Sequence, residues 1–435
     1  MQTIDIRTAH PTRSELARLV PRASTDVAAA TDSAAALIDD VRTRGESALL
    51  DQAQRLDGIL PPHVRVRDTE LSAAVQGLEP QVRSALEQAI DRVTAATRAQ
   101  VPPRTVTEVS PGARITQRWQ PVGRVGFYVP GGKAVYPSSV VMNVVPAQVA
   151  GVASVALASP PQKAFGGAVH PTILGAAGLL GVDEVYAMGG AGAIGAFAYG
   201  VPSIGLDPVD IITGPGNIYV AAAKRLVRGA VGIDSEAGPT EILVIADSSA
   251  DPVLVAADLV SQAEHDELAA AVLVTDSPEL AAAVTLEVER IAASAHHGER
   301  VRAALAGQQS AIVLVADLAD AAAFSNAYGP EHLEIQTENP DAVLELIDNA
   351  GAVFLGAFSP VSLGDYLAGS NHVLPTGGQS RFSSGLGAYT FLRPQQVISY
   401  DRPALEAVSR AIVDLSTAED LPAHGDAVTA RFPSQ

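Results

Sequence analysis

The chain contains no cysteine among its 435 residues. Disulfides, thiolate nucleophiles and Cys-ligated metals are therefore excluded, which leaves His, Asp, Glu and amide oxygens as donors for any metal. The same absence suits a reducing compartment, so a cytoplasmic location is expected. Positive charge is scarce too: 29 Lys and Arg stand against 48 Asp and Glu, a formal net charge of -19. Such a polyanion repels phosphate backbones and anionic headgroups, and no basic patch overrides it, so neither nucleic acid nor a membrane is expected as a partner. Long apolar runs are missing, since no window reaches the roughly 18 to 20 uninterrupted residues of a membrane span. The first residues, with Asp5, Arg7 and His10, show no basic segment leading into an apolar run, and a secretory leader is not expected.

What is present is globular: 47% hydrophobic and 18% charged residues can build large cores. The length exceeds what one core usually holds, so two or more domains are expected. The first hundred residues read as mainly helical, with Ala-rich stretches such as 33–41 and 80–98 that keep apolar residues at three and four spacing. Pro102 and Pro103 punctuate that block. From Val122 short β-branched runs alternate with helical segments, the pattern of βαβ units and parallel sheets. Candidate strands are 125–129, 152–156, 184–188 and 209–213, then 242–246, 271–275, 312–315, 332–336 and 352–355. Asp251-Pro252 supplies an N-cap acid and a first-turn proline for one intervening helix. The tail after Arg393 returns to helix, with 403–415 amphipathic.

The fold class expected is α/β, with two Rossmann-like, doubly wound domains of mainly parallel sheets and small helical units at both termini. Residues 1–25 form an N-terminal extension. Residues 26–130 with 240–375 form a first α/β domain, 131–239 a second, and 376–435 a small C-terminal helical unit.

Three glycine-rich loops follow predicted strands. Gly190-Ala-Gly192-Ala-Ile-Gly195, with Asp210 twenty residues after Gly190, meets the formal dinucleotide pattern, and close helix packing is the other reading. Gly214-Pro-Gly-Asn217 offers backbone N–H groups at a helix start, or a tight turn. Tyr128-Val-Pro-Gly-Gly-Lys133 is the third, with a Tyr and a Lys that could frame a cofactor.

Among nine histidines, His296 and His297 read as surface residues in a polar stretch. Gln262 and His265 stand at i and i+3, on one face of a helix near its end, and could reach one ion; a histidine there could equally complement the helix dipole. Glu331-His332 sets a carboxylate beside an imidazole at a turn entering a strand, two groups able to exchange protons near neutral pH. Further on, Asp365 or His372 could supply a ligand, and spacing alone does not choose between them.

These segments, in consistent order from about Val122 to His424, resemble histidinol dehydrogenases. The phrases that carry the likeness are Tyr-Val-Pro-Gly-Gly at 128–132, Gly-Pro-Gly-Asn at 214–217, Ala-Gly-Pro-Thr-Glu at 237–241, Gln-Ala-Glu-His at 262–265 and Gly-Pro-Glu-His-Leu at 329–333. Asp365 with Asn-His-Val-Leu-Pro-Thr at 371–376, and Glu419 through His424, complete the set. The resemblance implies one zinc per subunit on Gln262, His265, Asp365 and His424, the last from the partner subunit of a homodimer whose active site is shared. It implies L-histidinol as substrate, touched by Thr240, Gln262, His265, His332, Asp365, Glu419 and His424, and NAD+ near Tyr128 and Asn217. It also implies His332 as the base for alcohol oxidation and Glu331 as the group that activates water. Two positions depart from the pattern. Gly192 stands where relatives carry a glutamine that contacts NAD, so that contact is not carried over, and Thr240 replaces a serine while keeping the hydroxyl. Alternatives are a related zinc-linked dehydrogenase for another small alcohol, against which Glu419 and His424 speak, and a noncatalytic binding protein, against which Glu331 and His332 speak.

Overall fold

The computed structural model describes residues 1–23, 27–131, 135–236 and 238–432. It divides into two compact units, Met1–Gln100 with Gly123–Phe391, and Val101–Val122 with Leu392–Gln435.

The larger unit is built on two parallel sheets. One has six strands in the order Gln2–Asp5, Ala311–Leu314, Ala270–Thr275, Glu241–Ala246, His332–Gln336 and Ala352–Leu355. The other has five, in the order Val185–Ala187, Ser154–Ser159, Arg124–Tyr128, Ile211–Thr213 and Gly232–Ile233. In each the chain winds outward from a central strand in one direction and then returns to its other side, the doubly wound pattern. Helices cover both faces of the six-stranded sheet. Pro252–Ala263, Pro278–Ser294 and Gly298–Ala306 bury one side of it, and Arg13–Leu19 and Leu318–Tyr328 the other. Strands enclosed in this way read as continuous apolar runs, and Ile242 through Ala246 are all fully buried.

Asp251 caps the helix Pro252–Ala263 by accepting from the Val253 N–H, with Pro252 in the first turn as expected. No helix among the described residues is long and apolar enough to cross a membrane.

The smaller unit pairs Leu392–Tyr400, Ala113–Pro121 and Thr105–Ser110 in an antiparallel sheet and adds the helices Arg402–Ala418 and Pro422–Thr429. This departs from a purely helical tail beginning at 376. Strand Leu392–Tyr400 buries only Leu392, and Thr105–Ser110 buries nothing, so neither carries a core-facing alternation to read. The expected grouping of 26–130 with 240–375 also differs from sheet membership. Arg124–Tyr128 is central in the five-stranded sheet, and Gln2–Asp5, from the expected extension, edges the six-stranded one.

Candidate active site

Thr240 directly precedes Glu241–Ala246, and Glu331 directly precedes His332–Gln336, two strands that pair in parallel with His332 opposite Ile242. Both residues therefore stand at the amino edge of the sheet. The helix Pro252–Ala263 follows the first strand and runs back across the sheet, which returns its C-terminal end to that edge. Gln262 is buried in its last turn. His265 is not on the helix as expected: the helix ends at Ala263, Glu264 caps it, and His265 follows in the turn. The carbonyl end of a helix carries partial negative charge, a setting that favours a cation.

A short chain of hydrogen bonds links these groups. Gln262 Nε2 donates to Thr240 Oγ at 2.6 Å, and Thr240 Oγ donates to Glu331 Oε2 at 2.6 Å. The Glu241 N–H gives the same Oε2 a second bond at 2.9 Å. With its NH2 group committed inward, Gln262 is left with its carbonyl oxygen, the atom a metal uses. Burial pushes the Glu331 carboxyl up to about 7, against the lowering effect of His332 and of the bonds from Thr240 and Glu241.

His332 Nδ1 bonds the Glu241 backbone carbonyl at 2.9 Å. A carbonyl only accepts, so Nδ1 carries the proton and Nε2 is free to take one. The 3.6 Å from Nδ1 to Glu331 Oε2 is too long for a hydrogen bond.

Asp365 lies in the short helix Val361–Tyr366. His372 donates from Nδ1 to the Asp365 backbone carbonyl at 2.9 Å, so its Nε2 accepts from Ser139 Oγ at 3.2 Å. Both ring nitrogens of His372 are spent in orienting the loop, and Asp365 remains as the carboxylate donor. The imidazole of His265 opens to solvent on one side but is crowded on the others. Desolvation holds it below the ordinary histidine value, while the Asp365 charge pulls the other way. A neutral imidazole, an amide oxygen and a carboxylate at a helix carbonyl end suit a borderline divalent cation. Among the described residues no three His, Cys, Asp or Glu form a metal cage by themselves. Glu419 and His424 belong to the smaller unit, where both are exposed.

The five-stranded sheet presents its polar loops at the opposite, carboxyl edge. Tyr128 ends one central strand and Gly214–Asn217 follow its neighbour Ile211–Thr213, at the point where the strand order reverses. Gly214, at φ 112°, has no room for a side chain: a Cβ would stand 2.0 Å from the Tyr128 carbonyl oxygen. Buried Lys224 pairs with Asp234; its Nζ donates to the Gly214 carbonyl at 3.1 Å, and the Gly214 N–H donates to Asp234 Oδ2 at 2.8 Å. Asn217 Oδ1 accepts from the Tyr219 and Val220 N–H groups at 3.0 and 3.2 Å, capping the helix Ile218–Val227.

Within the formal dinucleotide pattern, Gly192 faces Gln52 and Gly195 packs against Ile38. A Cβ on Gly192 would meet Gln52 Oε1 at 2.1 Å. Asp210 accepts from the Gly123 and Arg124 N–H groups at 2.7 and 3.0 Å, at the amino edge and away from Gly190. Gly132, Lys133 and Ala237 of the sequence motifs lie outside the described residues. His296 and His297 are exposed, as expected. Sequence reading passed over Arg22, which sits on Glu241 although 219 residues separate them, a spacing at which no local pattern signals contact.

The histidinol dehydrogenase family model matches residues 20–432 of this chain. A histidinol dehydrogenase of Leifsonia xyli subsp. xyli is 71% identical over 432 residues, covering 99% of each chain. One of Mycolicibacterium smegmatis is 56% identical over 435 residues, covering 99% of this chain and 98% of that one. The crystal structure of histidinol dehydrogenase from Elizabethkingia anophelis aligns with a TM-score of 0.92 at 33% identity, covering 99% of this chain and 98% of that one.

Proposed function

The chain belongs to the histidinol dehydrogenase family and oxidises histidinol to histidine as an NAD-dependent enzyme of histidine biosynthesis, and from that premise we propose how its own residues divide the work. The alcohol must lose a proton and a hydride, the aldehyde must take up water, and the hydrate must lose a second proton and hydride. His332 takes the alcohol proton on Nε2, because its Nδ1 proton is held by the Glu241 carbonyl. Glu331 takes the proton from the water that attacks the aldehyde. A carboxyl raised to about 7 suits a base working near neutral pH.

Gln262, His265 and Asp365, with the partner subunit's His424 in a homodimer, would hold one zinc per subunit. Bound there, the zinc would supply a Lewis-acid template for orienting the substrate's nitrogen donors. Thr240, His332 and Glu419 complete the substrate contacts, and Tyr128 and Asn217 frame NAD+, which receives the hydrides. The cytoplasm is the compartment that fits a cysteine-free biosynthetic enzyme.

The observation that carries this reading is the chain from Gln262 through Thr240 to Glu331, which commits the Gln262 amide nitrogen, leaves its oxygen as the donor for a metal and fixes the carboxylate in one arrangement. The test is NADH formation from L-histidinol at two per histidine, lost on chelation and restored by zinc. Zinc-loaded protein that forms no NADH with histidinol would sink it. For the shared site, His424→Ala and His265→Ala chains, each inactive alone, recover turnover when mixed; verified heterodimers without turnover count against it.

A further inference from the structure

A partly buried cation lies behind the proton-handling pair. Arg22 Nε donates to Glu241 Oε1 at 2.5 Å, and Nη2 donates to Glu241 Oε2 at 3.2 Å, to the Tyr328 carbonyl at 2.6 Å and to the Gly329 carbonyl at 3.3 Å. Its guanidinium carbon also stands 3.8 Å from the centroid of the Tyr328 ring. Every one of these partners leads to the site. Tyr328 ends the helix Leu318–Tyr328, Gly329 turns the chain at φ 62°, and Pro330 delivers Glu331. Glu241 gives its backbone N–H to Glu331 and its backbone carbonyl to His332. Its side chain also receives the Gly377 N–H at 3.3 Å, in the loop that follows His372.

We propose that Arg22 is a positioning residue for this reaction: its planar fork ties the Glu241 side chain to the carbonyls before Pro330, and so sets Glu331 and His332 at one separation and one orientation. A guanidinium suits the task because one group must reach a carboxylate, two carbonyls and an aromatic face together, which a lysine ammonium does not do in a plane. Without it the Glu241 carboxylate, 4% exposed, loses its cation, and the backbone that holds both catalytic groups loses its brace. The proposal rests on the reading of Glu331 and His332 as the proton-handling groups.

The experiment compares Arg22→Lys and Arg22→Ala with the parent enzyme, each zinc-loaded, for kcat and KM with histidinol and with the aldehyde, zinc per chain and circular dichroism. Expected is a kcat lower by about 10-fold for Lys and about 100-fold for Ala, with histidinol KM and zinc content unchanged and added guanidinium restoring part of the Ala loss. On a Glu331→Gln background, Arg22→Ala should cost the aldehyde step far less than it costs the parent. Parent-like kcat in Arg22→Lys, which keeps the charge and folds more readily, overturns the proposal. So does loss of kcat matched by loss of zinc without guanidinium rescue, or full multiplication of the Arg22 and Glu331 effects. If Glu331→Gln and His332→Asn alone leave turnover intact, the reading of the pair itself fails, and the Arg22 proposal with it.

Discussion

The two parallel sheets of the larger unit carry their candidate site residues at opposite edges. In the five-stranded sheet Tyr128 and the Gly214–Asn217 turn stand at the carboxyl edge, at the start of the helix Ile218–Val227, where the positive dipole end favours anions such as a pyrophosphate. In the six-stranded sheet Thr240, Glu331 and His332 stand at the amino edge, beside the carbonyl end of the helix Pro252–Ala263. Ligand sites in doubly wound sheets normally occupy the carboxyl edge. On the proposed reading the two edges differ in the sign of ligand they suit: a helix start suits a phosphate-bearing cofactor, a helix end a metal cation.

The largest effect that sharpens this contrast is expected at the amino edge. His332→Asn should lower kcat for histidinol by 100-fold or more, on the order of what a lost general base costs, while zinc content and NAD KM hold; stopped-flow NADH formation measures it. Next, Glu331→Gln should impair aldehyde oxidation more than alcohol oxidation, by about 100-fold in the first. It should also abolish the fall in aldehyde turnover expected of the parent as pH drops through about 7, where burial places protonation of this carboxyl. An unchanged acid limb in the variant breaks the assignment.

At the other edge the change should be smaller and confined to the cofactor. Asn217→Ala removes the cap from Ile218–Val227, costing about 1 kcal/mol of stability, and should raise NAD KM several-fold without moving histidinol KM or zinc content. A shift in histidinol KM instead would mean that the two edges do not divide the ligands.

The smallest effect concerns the interior of the six-stranded sheet. Burial raises both Asp258 and Glu334 above the ordinary carboxylate range, and the Asp258 charge raises Glu334 further. Carboxyls whose folded values lie above their unfolded ones stabilise fully at low pH, and that stability is lost as pH rises through the folded values. Glu334→Gln should therefore gain over the parent progressively above about pH 5, by about 1 kcal/mol, read as a widening difference in Tm.

Much of this was legible in the sequence because enclosed strands announce themselves. The strands at 332–336 and 352–355 lie where the alternation of short strand-like segments with helical ones puts them, and the other buried strands within a few residues. Gln2–Asp5 is short and mostly exposed, and in the smaller unit Thr105–Ser110 and Leu392–Tyr400 expose nearly every residue, so none of these offered a hydrophobic period. In the site, Glu331 and His332 were visible as neighbours and Gln262 as a helix-end residue. The chemistry between them was not, because hydrogen-bond direction is a three-dimensional fact. Only the bonds made by His372 show that both its ring nitrogens are engaged within the fold, and only the structure shows that Gly192 faces Gln52. Arg22 carried no signal, since a lone arginine near a proline looks like any surface charge.

The clasp of Arg22 on Glu241 bears on the order in which the chain assembles. Residue 22 must find residue 241, residues 328 and 329 must arrive beneath it, and residue 377 must close on the same carboxylate. Loops of such length close slowly and gain nothing until they do. A refolding chain is therefore expected to recover helical signal before this clasp closes.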